Sequence, residues 1–276
     1  MVSPIKHYQF VAKSLIMSDL QLPIEKRFPP IVYRKVPSGI QGLDTMLNGG
    51  FPNRRIILIR GSPGAGKTIL CSQFLYNGFM KNGEPGIYVS MEETKEELIR
   101  ELYLAGIDFR KLKDDEVEFI DASPIRHTPS NTEIGRTKMG KKEFSLVALG
   151  EMIKNVAKER EATRIVIDPL TALSIQYPND EERWPMILDL IEALKRTGAT
   201  CLITEDLRAS RSSGTIPIED YGVHGTIIME ASERAKGMVK TIRITKMRET
   251  IHDDQTRIYE ITNKGIEVYP TSSWTP

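Results

Sequence analysis

The stretch Gly61-Ser62-Pro63-Gly64-Ala65-Gly66-Lys67-Thr68 matches the pattern G-x-x-x-x-G-K-[ST] at every fixed position. The apolar run from Arg55 to Arg60 predicts a buried strand before it, and the spacing of apolar residues from Thr68 to Tyr76 predicts a helix after it. A glycine-rich turn between a strand and a helix directs backbone N–H groups inward, and the helix start adds partial positive charge. This context favours a phosphate-binding loop over a glycine turn that happens to precede Lys-Thr.

The pattern assigns a role to each part of the loop. The segment Ser62 to Ile69 is expected to bind the phosphates of a nucleotide. Lys67 would reach the outer phosphates, and the hydroxyl of Thr68 would hold a magnesium ion. We therefore predict that the chain binds a nucleoside triphosphate.

Composition describes an ordinary globular protein, with 276 residues, 40% hydrophobic and 27% charged. The formal net charge of +1 gives no global attraction to nucleic acid or acidic membranes. Cys71 and Cys201 both lie in apolar runs and are expected to be buried core residues. The sequence contains no apolar run long enough to span a membrane, and Lys6, His7 and Lys13 interrupt any signal-peptide core. We expect a cytoplasmic protein.

Strands alternate with helices through the middle of the chain, which predicts an α/β fold with a doubly wound, mainly parallel sheet. The sequence Thr94-Lys95-Glu96-Glu97 is a capping box that opens one of the helices. Further strands are predicted at Gly86–Ser90, Glu116–Ile120, Arg164–Asp168 and Thr200–Thr204, and further helices from Thr94 toward Gly106, at Ser145–Glu159 and at about Glu181–Arg196.

After Thr226 the rhythm changes to short apolar runs separated by turns. These runs, Thr226–Glu230, Val239–Thr245, Arg257–Ile261 and Gly265–Tyr269, are expected to be antiparallel strands. They either extend the edge of the sheet or form a small β appendage. We find no internal repeat, and expect an N-terminal arm at 1–31, one nucleotide-binding domain at 32–270 and a tail at 271–276.

Three carboxylates follow predicted strands, at the sheet edge where ligands of open α/β sheets bind. Asp168 ends an apolar strand, as a magnesium-binding Walker B aspartate does, although it could instead cap the turn that starts at Pro169. Glu92 and Glu93 follow another strand, and one of them could polarise a water molecule. Alternatively, both only favour the dipole of the next helix.

Seven segments of the chain together form a recognisable pattern: Ser38-Gly39-Ile40-Gln41-Gly42-Leu43-Asp44, the loop Gly61–Thr68, Val89-Ser90-Met91-Glu92-Glu93-Thr94, Ile167-Asp168, Leu202-Ile203-Thr204-Glu205, Thr245-Lys246-Met247-Arg248 and Ile261-Thr262-Asn263-Lys264-Gly265-Ile266. In their order and spacing, these segments resemble the KaiC-like ATPases of the RecA superfamily, from about Val32 to Pro270. The resemblance implies a RecA-like core, a ring of six subunits and ATP with magnesium bound between neighbours.

The resemblance also implies roles for individual residues. Glu92 and Glu93 become the catalytic carboxylates, and Lys246, Met247 and Arg248 reach the site of the adjacent subunit. Since Lys246 and Arg248 alternate along a strand, both face one way and could act in trans on the γ-phosphate, like an arginine finger. Without the resemblance, an exposed edge strand would explain these two cations. The family further implies that Thr250, His252, Thr262 and Asn263 lie near the neighbouring nucleotide.

The chain departs from the family at several positions. It carries one copy of the domain where the clock protein carries two, and Asn263 replaces the usual aspartate. The autophosphorylated Ser-Thr pair of the clock protein aligns with Tyr221-Gly222, which argues against autokinase activity. His127 and His224 have no partner at metal-ligand spacing.

Three functions remain after this comparison. The first is a slow, magnesium-dependent ATPase that acts in signalling or regulation through its own ring and a protein partner that the sequence does not identify. The second is a non-catalytic switch in which ATP joins subunits. The third is a recombinase paralogue, since the basic loops Ser123–Lys142 and Arg208–Gly214 would give weak, salt-sensitive DNA binding. Neither loop has aromatic residues for base stacking, which favours solvated loops.

Overall fold

The computed structural model describes residues 33–123, 143–173, 180–207, 222–234 and 237–273. The chain divides into two units, residues 1–34 and 35–276, and the fold below is that of the second unit. The predicted arm at 1–31, most of both basic loops, His127, Tyr221 and residues 274–276 lie outside the described residues. No helix in the described ranges is long and apolar enough to cross a bilayer.

A nine-stranded sheet forms the centre of the unit, in the order β11-β10-β9-β8-β3-β7-β6-β4-β5. Neighbours from β8 to β5 pair in parallel, whereas β8, β9, β10 and β11 pair successively in antiparallel fashion. The strands are β3 (Ile56–Gly61), β4 (Gly86–Ser90), β5 (Val117–Asp121), β6 (Arg164–Asp168), β7 (Thr200–Asp206), β8 (Gly225–Arg234), β9 (Gly237–Met247), β10 (Arg257–Thr262) and β11 (Gly265–Ser273), and a separate small sheet pairs β1 (Lys35–Val36) with β2 (Phe51–Pro52).

Helices cover both faces of the parallel strands, so β3 is apolar on both sides. Ile57 and Ile59 pack in one core cluster with residues of the helices after β3 and β4, and Ile56 and Leu58 pack in a second cluster with residues of the two later helices. The helices are α1 (Leu43–Met46), α2 (Lys67–Asn82), α3 (Lys95–Leu104), α4 (Glu143–Glu159) and α5 (Asp180–Thr197), with short 3-10 turns at Phe109–Lys111 and Leu170–Ala172.

These elements confirm the predicted α/β fold, and most predicted boundaries agree within about two residues, whereas α2, β8 and β11 each extend further than predicted. The capping box is formed, since Thr94 accepts from the Glu97 amide and Glu97 accepts from the Thr94 amide. The later strands extend the main sheet and do not form an appendage.

The four later strands pair with one another in antiparallel fashion, as predicted, but β8 also has a parallel partner that the sequence did not predict. β8 pairs with β3 in parallel, with Ile57 opposite Gly225 and Gly61 opposite Met229, and only its other edge is antiparallel. The apolar pattern of a strand does not indicate which strands lie beside it or in which direction they run, because both depend on where the chain enters the sheet.

Residue pairing places the ends of four parallel strands at one edge of the sheet. Gly61 at the end of β3 lies opposite Asp206 at the end of β7, and Ser90 of β4 lies opposite Asp168 of β6. The carboxyl edge of a parallel sheet is where ligands of such folds bind. The fold therefore gathers the predicted phosphate loop and carboxylates in one region.

A buried arginine at the opposite end of β6 connects helix α2 to the sheet. Arg164 is fully buried, its Nη1 donates to the carbonyl oxygens of Pro37 and Phe74 at 2.9 Å each, and its Nε lies 2.7 Å from Glu84. A buried charge needs partners of this kind. Gly78 in α2 makes room for this side chain, since a Cβ there would lie 2.3 Å from Arg164 Nε.

This packing predicts the effect of Gly78→Ala. Alanine is normally the better helix former by about 1 kcal/mol, but here overpacking against Arg164 should lower the free energy of unfolding by about 1–3 kcal/mol. Thermal unfolding measures the change, with exposed Met80→Ala of the same helix as the control. A melting temperature for Gly78→Ala at or above that of the unmodified chain would contradict the packing.

Candidate functional site

The phosphate loop joins the carboxyl end of β3 to the first turn of α2. Gly64 and Gly66 have φ angles of 76° and 88°, in the left-handed region that glycine adopts without strain. A Cβ on Gly66 would also lie 2.7 Å from Ile261 Cδ1. Gly66 is the N-cap residue of α2 and supplies no side chain to the first amides of the helix, which leaves them for a ligand.

Residues of strands β8, β9 and β10 form hydrogen bonds with this loop. The buried Tyr259 of β10 donates its hydroxyl hydrogen to the Ala65 carbonyl, and Lys240 of β9 donates to the Gly64 carbonyl. In β8, the Ala231 amide donates to Ser62 Oγ at 2.9 Å. In a trans peptide the C=O and N–H point in opposite directions, so the bond to the Ala65 carbonyl orients the Gly66 amide away from Tyr259.

Lys67 is buried and makes an ion pair that the sequence did not predict. Its Nζ lies 2.8 Å from Asp206 Oδ1 and also donates to the Gly61 carbonyl at 3.1 Å. Strand β7 was predicted to end at Thr204, so Asp206 was missed. The carboxylate of Asp206 balances the charge of Lys67, and a bound phosphate would compete with Asp206 for this lysine.

The Asp168 carboxylate is buried and held by two hydroxyl groups. Tyr88 donates to Oδ2 at 2.6 Å, and Thr204 donates to Oδ1. Burial and the Asp168 charge raise the pKa of Tyr88, which keeps its hydroxyl protonated. The alternative role as a cap is not seen, because Pro169 is the N-cap residue of the 3-10 turn that follows.

Glu92 and Glu93 lie in different environments. Glu92 is exposed, whereas Glu93 is half-buried. Two hydrogen bonds with Ser90 fix the backbone of Glu93: Ser90 Oγ accepts from the Glu93 amide at 3.1 Å and donates to the Glu93 carbonyl at 2.6 Å. Glu93 Oε2 is buried and has no hydrogen-bond partner among the described residues. An orphaned carboxylate oxygen is suited to accept a hydrogen bond from a water molecule.

The surroundings of Glu93 also favour a proton acceptor near neutral pH. Burial raises the pKa of Glu93 to about 7, and the negative charges of Glu101, Asp168, Glu92 and Glu97 add to the shift. A base whose pKa lies near the working pH is the most effective in proton transfer. Thr94 caps helix α3, and Glu92 and Glu93 directly precede this cap, so their charges also favour the dipole of the helix.

Lys246 and Arg248 lie at the amino edge of the sheet, where the parallel strands begin. Met247, between them, pairs with Gly225 at the start of β8, and Gly225 pairs with Ile57 at the start of β3. The phosphate loop begins four residues later in β3, roughly 13 Å along the strand. Lys246 Nζ donates to the Val223 carbonyl at 2.9 Å, Met247 is buried, and Arg248 is exposed.

The other four residues that were predicted to lie near a nucleotide are divided between the amino edge and the carboxyl edge of the sheet. Thr250 and His252 follow Arg248, and His252 Nδ1 lies 3.2 Å from the Thr250 carbonyl. Thr262 and Asn263 form the turn between β10 and β11, where the Ile266 amide donates to Gln73 of α2 at 2.8 Å. This turn lies beside the phosphate-loop helix of the same chain, so the four residues do not form one group within a subunit.

His224 has a structural partner. Its Nδ1 accepts from the Ile56 amide at 3.1 Å, and burial, together with the charges of Arg55, Lys195 and Arg248, lowers its pKa to about 4. The imidazole is therefore neutral at pH 7. No group of three or more His, Cys, Asp or Glu side chains within the described ranges is arranged to hold a metal ion.

Known proteins resemble this chain in sequence and in fold. The chain is 31% identical over 243 residues to a UPF0273 protein of Pyrococcus furiosus. The matched region covers 86% of this chain and 94% of the Pyrococcus furiosus protein. A KaiC-like protein of Pyrococcus horikoshii OT3, known as a crystal structure, is 30% identical with a TM-score of 0.73 and covers 87% of this chain and all of that one.

The circadian clock oscillator protein KaiC of Synechococcus elongatus is 33% identical over 242 residues, a match of 86% of this chain but only 44% of KaiC. The chain thus spans less than half the length of KaiC. The model of the family described as "ATPase: KaiC" matches residues 36–273. The chain belongs to the KaiC ATPase family, as its sequence motifs predicted.

Proposed function

We propose that the chain is a magnesium-dependent ATPase whose nucleotide lies between two subunits. The observation that carries this proposal is the position of the predicted groups at opposite edges of one sheet. The phosphate loop, Asp168 and Glu93 belong to the carboxyl edge, whereas Lys246 and Arg248 belong to the amino edge. Because the two cations are remote from their own phosphate loop, any phosphate that they contact belongs to a neighbour.

The groups at the carboxyl edge would bind ATP and prepare the water molecule. The amides of Ser62 to Ile69 would bind the phosphates, and Lys67 would exchange Asp206 for the outer phosphates. The donor set fits magnesium, since Thr68 supplies a hydroxyl and Asp168 a carboxylate that binds through water. Magnesium would neutralise charge on the phosphate oxygens.

Hydrolysis then needs a proton acceptor and charge compensation. Glu93 would take a proton from water as the water oxygen attacks the γ-phosphorus, while the bond to the bridging oxygen breaks and ADP leaves. Lys246 and Arg248 of the adjacent subunit would stabilise the negative charge of the transition state. Thr250 and His252 would approach the neighbour's nucleotide, and Thr262 and Asn263 would flank the nucleotide of their own chain.

Head-to-tail contacts of this kind close into a ring or continue as a filament. We propose a homo-oligomer, with the ring of six that the family implies, acting slowly in the cytoplasm as a regulator of a protein partner. The non-catalytic switch predicts the same assembly without hydrolysis. Autokinase activity and strong DNA binding form no part of the proposal.

Mixed subunits test the shared site. Lys67→Ala removes a cation of the subunit's own site, and Arg248→Ala removes one that acts in trans. Each variant alone should be nearly inactive, and an equal mixture should regain activity, because roughly a quarter of random head-to-tail contacts are then complete. Phosphate release by the mixture is the measurement.

The matched control replaces the first variant with the double variant Lys67→Ala, Arg248→Ala. That mixture contains no Arg248 and should regain nothing. Recovery only in the first mixture supports the shared site. If each mixture shows only the sum of the activities of its separate variants, or if Arg248→Ala alone keeps full activity, the whole site lies within one subunit.

The raised pKa of Glu93 predicts a pH dependence. Since the ionised form accepts the proton, kcat should increase as the pH rises through about 7. Glu93→Gln should lose about 100-fold or more in kcat and lose this dependence. Glu92→Gln removes a repelling charge, so its remaining activity should rise at lower pH than that of the unmodified protein. A flat profile between pH 6 and 8 would contradict the role of Glu93.

The contact between Tyr259 and Ala65 predicts a specific loss of nucleotide affinity. Tyr259→Phe keeps the buried ring but removes the hydroxyl, and one lost hydrogen bond of about 1 kcal/mol should raise the Kd for ATP by about fivefold. Titration with a fluorescent ATP analogue measures the change. The control is Tyr269→Phe, which loses an exposed bond to Glu260. Equal Kd values for both variants would rule out this role of Tyr259.

A further inference from the structure

An ion pair lies directly beside the trans-acting cations. Glu249 follows Arg248, and its carboxylate binds Arg55 at two points, with Arg55 Nη2 at 2.6 Å and Nε at 3.1 Å. Paired contacts of this kind fix the orientation of both side chains. Arg55 lowers the pKa of Glu249, which keeps the carboxylate charged.

The backbone of Glu249 needs such a contact. Its φ angle is 60°, in the left-handed region that side chains other than glycine rarely adopt. Residues keep this conformation only where their surroundings hold them in it. The two hydrogen bonds from Arg55 to the Glu249 side chain are among the contacts that hold the turn after Arg248 in this conformation.

Neighbouring contacts connect the same turn to the start of β3. The Arg248 amide donates to the His224 carbonyl at 2.9 Å, and the His224 amide donates to the Ile56 carbonyl at 2.8 Å. On the far side of the turn, Lys35 Nζ donates to Thr250 Oγ1. The backbone is thus held on both sides, while the side chain of Arg248 stays exposed.

We propose that Arg55 is a positioning residue that holds Arg248 ready for the nucleotide of the adjacent subunit. This inference rests on the proposed function. Strand β3 carries Arg55 just before its first residue and the phosphate loop at its last, so one strand supports the subunit's own site and the group that it offers to its neighbour. Preorganisation of this kind lowers the cost of bringing a charged group to the transition state.

Arg55→Ala should therefore reduce kcat about five- to tenfold and leave the Kd for ATP unchanged within twofold, because the phosphate loop of the same chain is intact. Glu249→Gln, which keeps the size of the side chain, should give a similar loss. Arg55→Lys should fall between them and the unmodified protein, since lysine keeps the charge without the two-point contact.

The control is Arg160→Ala. Arg160 forms a comparable surface ion pair with Glu118, at 2.9 Å, on another part of the unit. Its loss should change neither kcat nor the Kd for ATP beyond twofold, as expected of an ordinary surface pair.

Mixing experiments separate positioning from a general loss of structure. Subunits with Lys67→Ala have an intact Arg55–Glu249 pair, so they should restore activity to Arg55→Ala subunits as they do to Arg248→Ala subunits. No recovery, or a kcat for Arg55→Ala equal to that of the Arg160→Ala control, overturns the inference. The proposed function fails separately, if Arg248→Ala alone keeps full activity.

Discussion

Strand direction is the constraint on which the rest of the site depends. The parallel strand β3 ends at the phosphate loop, and the antiparallel strand β9 ends at the opposite edge with Met247, between Lys246 and Arg248. A protein of this topology cannot bring Lys246 and Arg248 to its own phosphates without dismantling the sheet. If these cations contact a nucleotide, assembly is a requirement for activity, and the subunit alone is an incomplete enzyme.

The antiparallel strands serve both edges. Near the carboxyl edge, Lys240 and Tyr259 hold the phosphate loop by its carbonyl groups. At the amino edge, the same strand β9 leads into Arg248, which is followed by the ion pair of Glu249 with Arg55. The core of parallel strands alone would supply the amides and carboxylates, but it would lack the outer support of the loop and the cations Lys246 and Arg248.

Local motifs allowed much of this to be predicted from sequence. The loop around Lys67, the capping box at Thr94 and the strand ending at Asp168 each follow from residues close together in the chain. Asp206 and Tyr259 could not be found this way, because sheet pairing brings them to the loop from about 140 and 190 residues away. The parallel pairing of β8 with β3 was equally inaccessible, since nothing in the sequence of β8 indicates which strand lies on its other side.

The most direct measurement is the structure of the assembled protein with magnesium and a nonhydrolysable ATP analogue. We expect the analogue to lie in the loop of one subunit, with the Arg248 guanidinium of the next subunit within hydrogen-bond distance of its γ-phosphate. Lys67 should have left Asp206 for the phosphates. An isolated subunit that binds the analogue while Lys246 and Arg248 remain in solvent would contradict a site shared between subunits.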